Sequence, residues 1–396
     1  MSNLKIFSEN IKINSKRVIV RLDLNVPISK SSIEDSTRIE IIEPFIKKLI
    51  EKKAKIILIS HLGRPKGKVV KELSLNPIFD YLQKSLNTKV YFYKDNIDQK
   101  AIDASNNLKQ GEVLLIENIR FFKEEEDDNE NFAKNLSKLG DFYINEAFSC
   151  SHRRQASLHK ITNYIDSYGG PLLDKETQSI NLIIKNKKKP VTSIIGGSKV
   201  STKINVLLNL SKNTNNLIIV GAMANNFLKF NGLNVGASLL EKGTEDIIKS
   251  IYSSAEKNNC NIIIPVDCVV SNDLNGLPKP KSLNEIKSED IILDIGEKTI
   301  ELINKTVELS KTVFWNGPAG YFENKNFSKG TLSIAKKISS DTDTKSLISI
   351  VGGGDTIAAL KNVDFRKVFT HLSTAGGAFL ESIEGKELPG IKVLKK

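Results

Sequence analysis

Nowhere in the 396 residues do eighteen apolar side chains run together, and the opening stretch MSNLKIFSENIKINSKRVIV meets charged residues before any sustained apolar segment. A membrane-crossing helix needs about 20 apolar residues, so neither a span nor a secretory leader is expected, and the cytoplasm is the expected location. Cysteine is scarce too. Cys150, Cys260 and Cys268 are odd in number and lack CxxC spacing. That pattern suggests neither a disulfide framework nor a zinc site and leaves buried thiols in a reducing compartment. The dinucleotide pattern GxGxxG and the P-loop pattern GxxxxGK[ST] are both missing, so any nucleotide site here is built another way. Tryptophan occurs once, at Trp315, where it continues an apolar strand and reads as core rather than as a stacking platform.

Arginine is also sparse, and its placement is informative. Of 58 basic residues eight are Arg, and seven of these fall between Arg17 and Arg154. Lys serves as a point charge, whereas the guanidinium offers a planar fork that grips phosphate or carboxylate through two bonds. The formal net charge of +12 points to anionic partners: nucleic acid, a membrane surface or phosphorylated metabolites. The nucleic-acid reading lacks an aromatic-rich strand or a binding motif to support it.

What is present is an ordinary globular composition, 40% hydrophobic and 26% charged, in a chain too long for one core. Short apolar runs alternate with helical patterns, which predicts α/β architecture with mainly parallel sheets. Strands are expected at 17–24, 56–60, 113–117, 142–145, 191–195, 216–220, 262–266, 312–315, 347–351 and 368–372. Helical faces are expected from Ile39, Ile42, Ile46 and Leu49, and again from Ile300, Ile303 and Val307. The acidic run 124–130 reads as a solvated loop. Gly169-Gly170-Pro171 opening a helix and the charge run 185–189 closing it mark a junction. The division expected is therefore 1–170, a helix or hinge at 171–189, 190–380, and a tail at 381–396 that returns to the first half.

Candidate functional residues follow the predicted strands, where open α/β sheets bind ligands. In the first half these are Asp23 and Asn25, His61 and Arg64, Arg120, and His152 with Arg153; with Arg38 at a helix start they suit a cup for a small anion. The second half carries Gly196-Gly197-Ser198-Lys199, Asn316-Gly317-Pro318, Gly352-Gly353-Gly354-Asp355-Thr356 and Thr374-Ala375-Gly376-Gly377. One glycine-rich turn is usually only a tight connection, but three at successive strand ends suit phosphates, because glycine lets backbone N–H groups approach an anion. Lys199 and Lys203, four apart, would share a helical face and reach adjacent phosphates. Asp355 beside such a turn suits a magnesium ion held by nucleotide oxygens. His61, His152, His159 and His371 have no metal-like spacing.

The ordered motifs RLDLNVP, SHLGRP, ENIRF, GGSKVSTKI, PVD, LDIG, WNGPAGYFE, GGGDT and STAGGA resemble those of the phosphoglycerate kinase family from about residue 17 to 390. The resemblance implies two Rossmann-like domains joined by a hinge helix. It implies transfer of a phosphoryl group between 1,3-bisphosphoglycerate and ADP, giving 3-phosphoglycerate and ATP, with Mg2+ on the nucleotide. Asp23, Asn25, Arg38, His61, Arg64, Arg120 and Arg153 would bind phosphoglycerate. Lys203, Glu323, Gly353, Gly354, Asp355 and Thr356 would bind nucleotide, Glu323 at the ribose and Asp355 toward the metal. Arg38, Lys199, Lys203 and the glycine turns at Gly354 and Gly377 would surround the transferred group. A monomer without a specific nucleic-acid or membrane partner is the family expectation; a scaffold without activity would not need this Arg and Lys set. Glu146, Gln155, Thr202, Ala222, Ile292 and Ala375 depart from the family's common residues.

Overall fold

The computed structural model describes residues 4–29, 32–185, 187–361 and 368–395. The chain divides into two compact units, Met1–Thr177 with Glu387–Lys396, and Gln178–Lys386.

In the first unit six strands form one parallel sheet: β1 (Arg17–Arg21), β4 (Lys55–Ile59), β5 (Val90–Tyr93), β6 (Val113–Ile116), β7 (Phe142–Asn145) and β8 (Asp166–Gly169). Their order across the sheet is β5-β6-β4-β1-β7-β8. A separate two-stranded hairpin pairs β2 (Ile28–Ser29) with β3 (Ser32–Ile33). Strands buried on both faces read as unbroken apolar runs, and β1 illustrates this. Val18 and Val20 pack into one core with Ile39, Ile42, Ile46 and Leu49 of helix Thr37–Glu51. Ile19, pointing the other way, packs into a second core with Ala133 and Leu136 of helix Glu130–Ser137. Helices therefore cover both faces of the sheet.

The second unit repeats the plan. Its parallel sheet contains β9 (Val191–Ile195), β10 (Asn216–Ile219), β11 (Asn261–Ile263), β15 (Thr312–Asn316), β16 (Ile348–Gly352) and β17 (His371–Ser373), in the order β11-β10-β9-β15-β16-β17. Numbered along the chain that is 3-2-1-4-5-6, the order of a dinucleotide-binding Rossmann sheet, so the expected fold class is borne out. Between its third and fourth strands the chain inserts an antiparallel sheet of β12 (Asp267–Ser271), β13 (Lys279–Ser282) and β14 (Ile291–Ile295), ordered β13-β12-β14. Ile300, Ile303 and Val307 of helix Glu297–Glu308 are buried with Trp315, as their spacing predicted.

Two expectations need correction. The strand expected over 262–266 stops at Ile263, since Pro265 has no N–H for a ladder and the chain leaves for β12. The acidic run 124–130 is not simply a solvated loop: Glu125 is fully buried and Asn129 caps helix Glu130–Ser137 by accepting from the Phe132 N–H at 3.0 Å.

Helix Pro171–Ile184 contains the division between the units, which falls after Thr177. Its first turn is held by Glu146, whose Oε2 accepts the N–H groups of Leu172 (2.9 Å) and Leu173 (3.1 Å). Burial raises the pKa of this carboxyl to about 8. The end of the chain lies on the first unit, where the Lys5 N–H donates to the Leu394 carbonyl (2.8 Å) and the Gly390 N–H to that of Ser151 (2.9 Å). All three cysteines are free and buried, as expected. Among the described residues no helix is long and apolar enough to cross a membrane.

Candidate functional site

In the first unit β6, β4, β1 and β7 are neighbours, and their carboxyl ends deliver Arg120, then His61 and Arg64, then Asp23 and Asn25, then Arg153. Arg38 joins them from the first turn of helix Thr37–Glu51. A continuous set of bonds ties four of these residues together. Asp23 Oδ2 accepts from the Arg38 guanidinium and from the Ser149 hydroxyl. Asp23 Oδ1 accepts the Asn25 N–H at 3.1 Å, and Asn25 Oδ1 accepts the Gly63 N–H at 2.9 Å. The Gly63 carbonyl accepts from Arg120 Nη1 at 2.8 Å. Gly63 has φ +62, a left-handed conformation that favours glycine, and a Cβ there would lie 2.6 Å from Leu73 Cδ2.

Beside this set lies His61, 4% exposed, with Nδ1 3.5 Å from Arg21 Nη2. Burial, then the charges of Arg21, Arg120, Arg38 and Arg153, hold its pKa well below the ordinary imidazole value, so it is neutral at pH 7. Arg120 is 3% exposed and its buried Nε has no hydrogen-bond partner among the described residues. Burial and Arg21 lower its pKa as well. A cup that gathers guanidinium groups at mutual cost and leaves a buried donor unpaired is arranged for an anion. Arg153, half-buried, adds its charge at His61, whereas exposed Arg64 lies outside the bonded set.

Asp23, His61 and Cys150 bring ligand atoms within 4.8 Å of one another. The surrounding guanidiniums oppose a cation there, and burial with Asp23 pushes the Cys150 thiol up, away from the thiolate a metal needs. Arg21, Ser149 and Glu125 are contributors that the sequence reading missed. Arg21 opens the RLDLNVP motif, and a charged residue ending a buried strand was the available signal.

In the second unit the four turns singled out from sequence end four adjacent strands, β9, β15, β16 and β17. Their glycines let them interlock. A Cβ on Gly196 would lie 2.2 Å from the Pro318 carbonyl oxygen. Gly353 has φ +104, and a Cβ on it would lie 2.7 Å from Asn316 Nδ2. Thr356, fully buried, locks two turns together: its hydroxyl accepts the Gly317 N–H at 2.7 Å and donates to the Gly352 carbonyl at 3.0 Å. Gly354 and Gly377, by contrast, have open space where a Cβ would project.

Lys199 and Lys203 do not share a helical face. Residues Ser201–Lys203 form a 3-10 turn and the α-helix starts only at Ile204, so Lys199 sits in the preceding loop, exposed. Lys203 turns back onto the glycine turn, donating to the Gly196 carbonyl and, at 3.0 Å, to Asn316 Oδ1. Burial lowers its pKa to about 8, opposed by the charge of Asp355. Asp355 is exposed and has no hydrogen bond or ion pair among the described residues. A free carboxylate beside phosphate-type turns fits the oxygen preference of magnesium.

A cavity of about 330 Å3 opens beside these turns, walled by Leu228, Leu239, Leu274, Ile292 and Tyr321 and including Asp355 and the exposed Glu323. Its size and apolar walls suit a nucleobase. Ala222 and Ile292, two of the departures from the family's common residues, both line it. Asp294, 2% exposed, is a wall residue that the sequence reading passed over; burial raises its pKa to about 7 while it accepts the N–H groups of Ile295 (2.9 Å) and Gly330 (2.8 Å).

The family model for phosphoglycerate kinase matches residues 8–386. The phosphoglycerate kinase of Wolbachia pipientis is 43% identical over 390 residues, covering 98% of each chain. That of Bartonella bacilliformis is 44% identical over 384 residues, covering 96% of each. Among solved structures, phosphoglycerate kinase from Coxiella burnetii superposes with a TM-score of 0.91 at 38% identity, covering 98% of each chain.

Proposed function

Since the chain belongs to the phosphoglycerate kinase family, we propose that its first-unit cup holds the phosphoglycerate and its second-unit turns hold the nucleotide during reversible transfer from 1,3-bisphosphoglycerate to ADP. The observation that carries this assignment is the bonded set of Arg38, Asp23, Asn25 and Arg120 beside neutral His61, at the carboxyl ends of adjacent parallel strands.

Phosphoryl transfer asks for in-line positioning and for charge stabilisation on the equatorial oxygens, and the acyl phosphate needs no deprotonated nucleophile on the enzyme. No side chain is therefore assigned as a general base. Arg120 and His61 offer N–H donors to the bound triose, Arg64 and Arg153 offer further guanidinium groups, and Arg38, Lys199 and Lys203 meet charge on the transferring group. The open backbone at Gly354 and Gly377 lets N–H groups approach the phosphates. Asp355 would hold magnesium on the nucleotide, where the ion neutralises charge on the phosphate oxygens. Glu323 takes the ribose, and Gly353 and Thr356 shape the turn that carries Asp355.

In-line transfer requires reacting atoms about 3–3.5 Å apart, so residues on two units must act on one phosphoryl group. We assign the connector 171–189 as the hinge, the enzyme as a monomer and the cytoplasm as its place in glycolysis. A smaller radius of gyration with both substrates bound than with either alone would support closure. The decisive test is a coupled assay: purified protein with magnesium, ADP and 1,3-bisphosphoglycerate forms ATP, and failure to do so in a folded sample overturns the assignment.

A further inference from the structure

Beneath the cup a line of three buried groups that the assignments above do not use, Glu125, Ser157 and Arg21, runs up to His61. Glu125 belongs to the stretch KEEEDD, yet no part of it is exposed. Its Oε1 accepts the Ser157 hydroxyl at 2.6 Å and its Oε2 accepts the Ser157 N–H at 2.8 Å. Ser157 Oγ accepts Arg21 Nε at 2.9 Å. Arg21, also without exposed surface, donates to the Leu22 carbonyl and places Nη2 3.5 Å from His61 Nδ1.

Proton counting fixes the direction of every link. A guanidinium has five N–H groups and no lone pair, so Arg21 can only donate. A serine hydroxyl has one proton, and here it goes to Glu125, so toward Arg21 the oxygen must accept. At the other end His61 Nδ1 faces Arg21 Nη2, which can only donate, and at 3.8 Å the Cys150 thiol, which burial keeps protonated and able to donate; a lone pair on Nδ1 suits both and puts the single proton of the neutral ring on Nε2. Arg21 has no carboxylate within ion-pair distance among the described residues; its nearest counter-charge in this line is Glu125, one hydroxyl away. A buried charge left without such compensation is costly, so the carboxylate decides whether Arg21 keeps its place.

Resting on the assignment of His61 as a phosphoglycerate contact, we infer that Glu125 is a positioning residue for substrate binding. Through Ser157 and Arg21 it holds His61 with Nδ1 as acceptor and Nε2–H as the donor offered to the anionic substrate. A merely structural Glu125 would tie the 125 turn to the 156–157 loop, where the Ala156 N–H also donates to the Glu125 carbonyl at 3.0 Å, and would leave the imidazole indifferent.

The test compares Ser157→Ala, which removes the link but keeps both charges, with Glu125→Gln and the double variant in the full-length enzyme. Each single change should raise KM for 3-phosphoglycerate about tenfold while KM for ATP holds, and the double variant should be no worse than the poorer single. Nitrogen NMR of the labelled imidazoles should show His61 as the Nε2–H tautomer in the parent and as a mixture in the variants. If Glu125→Gln does not fold, Ser157→Ala decides alone. Folded Ser157→Ala with an unchanged tautomer and KM within about twofold of the parent overturns the proposal, as does a parallel loss of kcat, both KM values and Tm. His61→Ala is the control: no rise in KM for 3-phosphoglycerate overturns the site assignment itself, whereas a rise there with none in Ser157→Ala overturns only the link.

Discussion

The Arg38 guanidinium donates to the same Asp23 oxygen that accepts the Ser149 hydroxyl. Arg38 is thus held at the end of β1 by a carboxylate already shared with another donor. It has a site from which it can turn to an incoming phosphoryl group without leaving that oxygen unbonded, since half-buried Asp23 keeps the Ser149 hydroxyl.

Replacing Arg38 by Ala should therefore leave the fold intact and lower turnover. Removal of one donor aimed at developing charge costs about 10²–10³ in rate, or roughly 3–4 kcal/mol. Steady-state kinetics on the folded variant gives the answer, and retention of more than about half the parent activity would move Arg38 to the periphery.

Thr356 bridges the 317 and 352 turns through one buried hydroxyl. Thr356→Val keeps the shape but strands the Gly317 N–H, a loss of about 1–3 kcal/mol. Urea unfolding should register it, together with weaker ADP binding. A variant as stable as the parent but deficient in ADP binding would mean that the hydroxyl meets nucleotide directly instead.

How much of this was legible beforehand depends on the kind of residue. The βα alternation, the faces of Ile39–Leu49 and Ile300–Val307, and the three glycine-rich turns could be read because periodicity and glycine act locally. Strand β13 (Lys279–Ser282) escaped because its mostly exposed residues KPKS carry no apolar signal, and its partners lie elsewhere in the chain. The helical face shared by Lys199 and Lys203 is absent, because 201–203 is a 3-10 turn in which Lys203 reaches back to Gly196 and Asn316. Glu125 was hidden among exposed acidic neighbours. Only tertiary placement beside Ser157 separates it from Glu124 and Glu126.

Asp355→Ala should weaken the productive magnesium–nucleotide complex far more than binding of 3-phosphoglycerate, because the carboxylate lies on the second unit and the cup on the first. Calorimetry separates the two ligands. Equal losses for both would point to general damage and remove Asp355 from the metal.

Lys203 offers a prediction in pH. Burial brings its pKa from 10.5 to about 8, so in the free enzyme the ammonium is half-deprotonated near pH 8. Between about 8 and 10.5 the unfolded chain binds more protons at this position than the folded one. This group's contribution to stability is accordingly least favourable below pH 8 and improves as pH rises through that window. Binding runs the opposite way. Phosphates of ADP beside Nζ favour the charged form, so binding near pH 8.5 should draw a proton from solution, and affinity should fall as pH climbs past about 8. Titration calorimetry in buffers of different ionisation enthalpy counts that proton. Lys203→Met should abolish the uptake and flatten the pH dependence above 8. Equal proton numbers in parent and variant would show that Lys203 does not face the phosphates and serves only to tie the 196 turn to Asn316.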